Sequence, residues 1–151
     1  MDVKEQPPGF HLLAHSAHLI EERQRRMLRP LGLHAGQARV LHVLSDKGEA
    51  SQRVLADQFD VSAASMSEMT KRLIANGFIQ SRPSTEDGRS SLLSLTPRGR
   101  KLAQQVFEVW RELDELIADA IGAERAGRLF ADSMALRDAL GGRAPGRDKA
   151  N

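Results

Sequence analysis

The chain has 151 residues, 40% of them hydrophobic and 28% charged, with a formal net charge of +2, the make-up of an ordinary soluble globular protein. It contains no cysteine and no tyrosine and is only 4% aromatic, which excludes disulfides, thiolate metal sites and thiol redox sensing and argues against an aromatic base-stacking platform or carbohydrate cleft. Lys and Arg outnumber Asp and Glu nine to six between Lys47 and Lys101, whereas the balance is four to seven between Arg111 and Leu140; contact with nucleic acid is therefore expected in the middle of the chain.

Residues 1–9, with two prolines and several charges, read as a flexible arm. Leu13, Ala17, Ile20, Gln24 and Met27 recur at helical spacing and predict a helix over Phe10–Arg29, stopped by Pro30 and Gly32. The apolar run Phe10–Ile20 is interrupted by three histidines and is shorter than the roughly 20 residues a membrane span needs, so a cytoplasmic protein without membrane contact is expected. A second helix is predicted over His34–Asp46, with Ala38, Leu41 and Leu44 on one face. Ser51 is placed to cap a short third helix, Gln52–Gln58, and Ser62 a fourth, Ala63–Asn76, which Gly77 ends in the left-handed conformation.

The period then changes. Phe78–Arg82 and Ser91–Leu95 read as two strands of a β-hairpin around a polar tip, Pro83–Ser90. Thr96-Pro97 is a helix start, with proline at the first helical position, and the apolar pattern runs on to Ile121. Gly122 separates a last helix, Ala123–Leu140, and a Gly-, Pro- and charge-rich tail over residues 141–151 reads as disordered. The fold class is thus mainly α with a small β-hairpin wing. It divides into the arm, a helix over 10–30, a winged helix-turn-helix module over 31–99, two helices over 100–140, and the tail. The peripheral helices carry apolar stripes too large for the central module to cover, which predicts a homodimer.

The helix pair Gln52–Gln58 and Ala63–Asn76 has the residues a DNA-reading pair requires. Ala56 is small enough for close crossing, Asp60 tolerates a left-handed turn, and Val61 is expected to be buried in that turn. With Met66, Met69 and Leu73 facing inward, the second helix presents Ser62, Ala63, Ser65, Ser67, Lys71 and Arg72 outward, small and hydroxyl groups suited to a major groove. Ser51, Gln52 and Arg53 at the start of the first helix complete the expected DNA-contacting set, together with Arg82 at the base of the hairpin and Arg89 at its tip. An arginine on a protruding hairpin reaches a minor groove, where the potential is most negative, and Asp87 is positioned to pair with a basic group and hold the loop.

These residues in order resemble the MarR family of winged-helix repressors: Leu33…Gln37-Ala38-Arg39-Val40-Leu41, Leu55-Ala56…Val61-Ser62, Leu73…Asn76-Gly77-Phe78-Ile79, Arg82, Asp87-Gly88-Arg89 and Leu93-Ser94-Leu95-Thr96-Pro97-Arg98-Gly99. The resemblance implies a homodimer held by the N- and C-terminal helices, which binds double-stranded DNA at an imperfect palindrome. It implies recognition helices in successive major grooves and wing arginines in the flanking minor grooves. It also implies release from DNA by a small anionic or phenolic effector. His34 stands where such proteins usually cap the second helix with Thr, Gly88 where an Arg is frequent, and Glu68 where a basic residue is common.

His11, His15, His18 and Glu22 fall on one helix face. Zinc sensing is one alternative that this spacing raises, but a helix face supplies too few ligands and no histidine-rich partner segment is evident, so no metal or other cofactor is expected. His15, His18, His42 and Trp110 are instead the candidates for orienting an anionic aromatic effector. There is no nucleophile elbow, phosphate loop or paired carboxylate set, so a regulator is expected and an enzyme is not. A winged helix that serves protein interaction without reading DNA is the other alternative, which the outward Glu68 favours.

Overall fold

A computed structural model describes residues 8–86 and 88–142 of the chain. Most of the expected arm and tail, and Asp87, lie outside the described residues. Helix α1 (Gly9–Leu28) gives way to one turn of tighter helix over Arg29–Leu31, and Gly32 reverses the chain at φ 69°. Helix α2 (Ala35–Lys47) starts one residue later than its sequence suggested, because His34 serves as its N-cap. The Gln37 side-chain oxygen accepts from the His34 backbone N–H at 3.3 Å, half of the reciprocal arrangement that settles free amides at a helix start. Val40, Leu41, Val43 and Leu44 of α2 are all buried, which makes this helix the centre of the core. Fully burying each such side chain stabilises the fold by about 1.5–3 kcal/mol.

A three-residue strand, β1 (Glu49–Ser51), precedes α3 (Gln52–Phe59) and α4 (Ala63–Ala75), and the wing follows as β2 (Ile79–Pro83) and β3 (Ser91–Leu95). The sheet therefore has three antiparallel strands in the order β1-β3-β2, not two. Ala50 opposes Leu93, and Ile79 opposes Leu95; all four are buried. Glu49, Gln80, Arg82, Leu92 and Ser94 alternate onto the other face.

Helices α5 (Pro97–Ile121) and α6 (Ala123–Ala139) complete the chain. The Thr96 hydroxyl accepts from the Gly99 N–H at 3.0 Å and donates to the Gly77 carbonyl at 2.7 Å, so one side chain caps α5 and ties it to the end of α4. A side chain at Gly99 has no room: its Cβ would lie 1.8 Å from the Phe78 carbonyl oxygen. Both α1 and α6 pack against α5, yet they leave large apolar side chains in solvent. Leu12 is 56% exposed and Met134 54%, and Phe10, Leu13, Leu19, Leu129, Phe130 and Leu136 are exposed as well.

Candidate nucleic-acid interface

The turn between α3 and α4 depends on Asp60, the one non-glycine residue with positive φ among the described residues, at φ 54° and ψ 45°. Its short polar side chain tolerates this conformation, and the next amide, Val61 N–H, donates back to the Ala56 carbonyl at 3.1 Å. Ala56 is buried as the close crossing requires, whereas Val61 is 36% exposed and not the buried turn residue expected. Leu55, Ala56 and Phe59 already fill the core beneath the turn, and Val61 is left at its rim. The Ser62 hydroxyl accepts from the Ser65 N–H at 3.1 Å and caps α4.

Met66 and Leu73 of α4 are buried and Met69 packs against the core. Ser62, Ala63, Ser65, Ser67, Lys71 and Arg72 are exposed, so α4 presents the polar face expected of it. Glu68 is exposed too, and its carboxylate lies 3.8 Å from Arg72, where it offsets part of that positive charge.

The sequence missed Thr70. It is fully buried, its hydroxyl donates to the Met66 carbonyl at 2.9 Å, and it accepts from Gln52 Nε2 at 3.0 Å. Threonine in a helix commonly bonds back in this way, but the long-range link to Gln52 leaves no trace in local sequence. Gln52 therefore pins the start of α3 to the middle of α4 and is half-buried. Ser51 accepts from the Val54 N–H at 3.2 Å and acts as the α3 cap, and Arg53 is exposed.

In the wing, Arg82 lies on the exposed face but its guanidinium is engaged. Nε and Nη2 donate to the two Glu49 carboxylate oxygens at 2.8 and 2.6 Å. This paired geometry holds the Glu49 carboxyl below the usual carboxylate range. Arg89 is exposed, in a turn whose base is closed by Ser84 N–H donating to the Ser90 carbonyl at 2.8 Å. Asp87, the expected wing-structuring acid, falls outside the described residues.

Of the effector candidates, the structure brings together His42 and Trp110, with ring centroids 5.1 Å apart and edge-to-face. Phe107, absent from the sequence-based set, joins them at 4.9 Å from His42 and 6.0 Å from Trp110. Nδ1 of His42 is buried without a hydrogen-bond partner, and burial lowers the imidazole pKa from its ordinary value against an opposing pull from Asp46. His15 and His18 stay exposed on α1, apart from any ring contact or hydrogen bond among the described residues. No group of three His, Cys, Asp or Glu side chains among the described residues converges to hold a metal ion, and no described helix is long and apolar enough to cross a membrane.

A helix-turn-helix backed by a short sheet with an arginine-bearing hairpin, and framed by long helices, defines a winged helix-turn-helix protein. The MarR family model matches residues 33–91. A Bacillus subtilis relative, the uncharacterized HTH-type transcriptional regulator YwoH, is 32% identical over 111 residues, which are 73% of this chain and 80% of the relative. The HTH-type transcriptional repressor IacR of Pseudomonas putida is 28% identical, over 69% of this chain and 62% of its own. Among solved structures, apo MarR from E. coli superposes with a TM-score of 0.76 at 21% identity, covering 90% of this chain and 98% of that one. A MarR variant complexed with operator DNA gives 0.75 at 21% identity, covering 93% and 99%. The chain belongs to the MarR family of HTH-type transcriptional regulators.

Proposed function

We propose that the protein is a homodimeric, sequence-specific binder of double-stranded DNA that represses transcription and is released by a small anionic or phenolic effector. The carrying observation is the exposed, serine-capped face of α4 beside an arginine-bearing wing. Relatives named as repressors and the superposition on a MarR variant complexed with operator DNA support the same reading. In it, Ser62, Ala63, Ser65, Ser67, Lys71 and Arg72 enter the major groove, Arg53 meets backbone phosphate and Arg89 the minor groove. Ser51 and Gln52 set the pose of α3, and Arg82 braces the wing through Glu49 and does not itself touch DNA.

The exposed apolar faces of α1 and α6 are the surfaces that a second copy covers. Such a pair presents two recognition helices to a pseudo-palindrome with half-sites about one helical turn apart. The His42–Phe107–Trp110 cluster is the proposed seat of the effector, its buried unpaired nitrogen awaiting a hydrogen-bond partner. A superposing structure, NadR in complex with 4-hydroxyphenylacetate, has a TM-score of 0.67 at 23% identity and supports a ligand of that class. The protein acts by binding, not catalysis, in the cytoplasm where its DNA lies. Selection from random duplexes tests the proposal: an enriched imperfect palindrome is expected, and a pool without any enriched motif overturns it.

A further inference from the structure

A second charged feature lies beside α4 and shares only Arg72 with the DNA-contacting residues considered so far. Arg25 from the end of α1, Arg29 from the tighter turn that follows it, His34 and Gln37 from the start of α2, and Arg72 and Asn76 from the end of α4 surround an open cavity of about 450 Å³. No carboxylate lines it. Two nearby acids reach only its edges: Glu22 pairs with Arg25 at 2.7 Å and Glu68 lies 3.8 Å from Arg72. Three arginines thus line one concave space, Arg25 and Arg72 each partly offset by an acid outside the lining, while Arg29 has no acidic partner among the described residues. Guanidinium forks favour phosphate and carboxylate oxygens, and a cavity lined by three arginines and no carboxylate suits an anion.

We infer that this cavity holds a backbone phosphate of the bound DNA, gripped by Arg25 and Arg29, with Arg72 standing between it and the recognition face of α4. The inference rests on the DNA-binding reading above and extends it to a helix assigned there only to dimerisation. Location favours a DNA phosphate over a free anion. Arg72 is shared with the neighbouring cavity along α4, which Ser65 and Glu68 line, so the site continues directly from the recognition helix toward the flank of the groove. A phosphate at this point fixes register without reading sequence. It also makes α1 part of the DNA footprint, so a shift of the dimer helices is felt at the DNA backbone.

The test compares wild type with an Arg25→Gln/Arg29→Gln double variant by fluorescence anisotropy on specific and scrambled duplexes across a salt series. Loss of one phosphate contact makes the slope of log K against log[salt] shallower by about 0.9. Between 50 and 200 mM salt the wild type then loses about three- to fourfold more affinity than the variant, with the ratio of specific to scrambled binding unchanged. A circular dichroism melt and a sedimentation run on the variant, both matching wild type, exclude unfolding or loss of the dimer as the cause. An unchanged slope and affinity in the variant overturns this site while leaving DNA binding intact. Wild type that binds no duplex at any salt overturns the DNA-binding reading itself. Inorganic phosphate binding wild type but not the variant in calorimetry, with equal DNA slopes for both, assigns the cavity to a free anion and overturns the proposal.

Discussion

Arg82 and Glu49 meet across the central strand of the wing sheet, one on β2 and the other on β1, joined by two contacts of 2.8 and 2.6 Å. The strands that carry them are not neighbours, since β3 lies between, and strands are about 4.8 Å apart. Both side chains must therefore extend over β3, and in doing so they clip the outer strands of the sheet together. Of the two arginines expected at the DNA, Arg82 is thus held by Glu49, and the groove contact is proposed for Arg89.

The two wing arginines are expected to behave differently. Arg89→Ala should weaken specific DNA binding by about 1–3 kcal/mol, roughly fivefold to 150-fold in Kd. Arg82→Ala should change it by less than threefold. Side-by-side titrations against one operator duplex decide the matter, and equal losses in both variants count against the bracing role of Arg82.

Gln52 should report on stability more than on DNA contact. Its amide reaches the fully buried Thr70 hydroxyl, and a hydrogen bond of this kind contributes about 1 kcal/mol. Gln52→Ala and Thr70→Val are each expected to lower unfolding free energy by about that amount. The double variant should lose little more than either alone, because the two remove the same bond. Additive losses in urea unfolding would mean that the residues act independently.

His42 predicts an acid-side loss. Burial lowers its folded pKa below the ordinary value of 6.5, so between that ordinary value and the folded one the unfolded chain binds more protons than the native. Stability then rises with pH through this window; it is complete above the ordinary value and falls as pH drops toward the folded pKa. Replacing His42 with Phe should flatten the Tm profile between pH 7 and 5. Because Trp110 is the sole tryptophan and its ring lies 5.1 Å from His42, its fluorescence should titrate with a midpoint below 6.5 in wild type. That transition should be absent from the variant, and its persistence would exclude His42 as the origin.

Gly99 marks the joint between wing and α5. Its missing Cβ is what lets the helix lie on the Phe78 carbonyl, and Gly99→Ala forces the two backbones apart. A cost at the upper end of the roughly 1–3 kcal/mol range for overpacking is expected, seen as a Tm lowered by about 6–12 °C. A melt within 2 °C of wild type contradicts the joint described here.

The elements most legible in the sequence are those with chemical punctuation. Thr96-Pro97 starts α5, Gly77 ends α4 in the left-handed conformation, and Ser62 caps α4. Strand β1 was not legible, because three residues with a single buried side chain, Ala50, are too few to show alternation. Its existence depends on pairing with β3, more than forty residues on. The site divides along the same line. Caps and exposed faces could be read locally, whereas Arg82–Glu49, Gln52–Thr70 and His42–Phe107 join residues far apart in sequence. Val61 shows the reverse error: an apolar residue in a turn was expected inside, but the turn sits at the rim of a core already full.

The account stands on a twofold pair of chains engaging one duplex, and a stoichiometric titration tests this most directly. Protein is added to a labelled palindromic duplex and to a scrambled one, with bound mass read by sedimentation at several salt concentrations. Two chains per palindromic duplex are expected, with affinity well above that for the scrambled duplex and falling steeply as salt rises. One chain per duplex, or the same salt-independent affinity for both, contradicts the account.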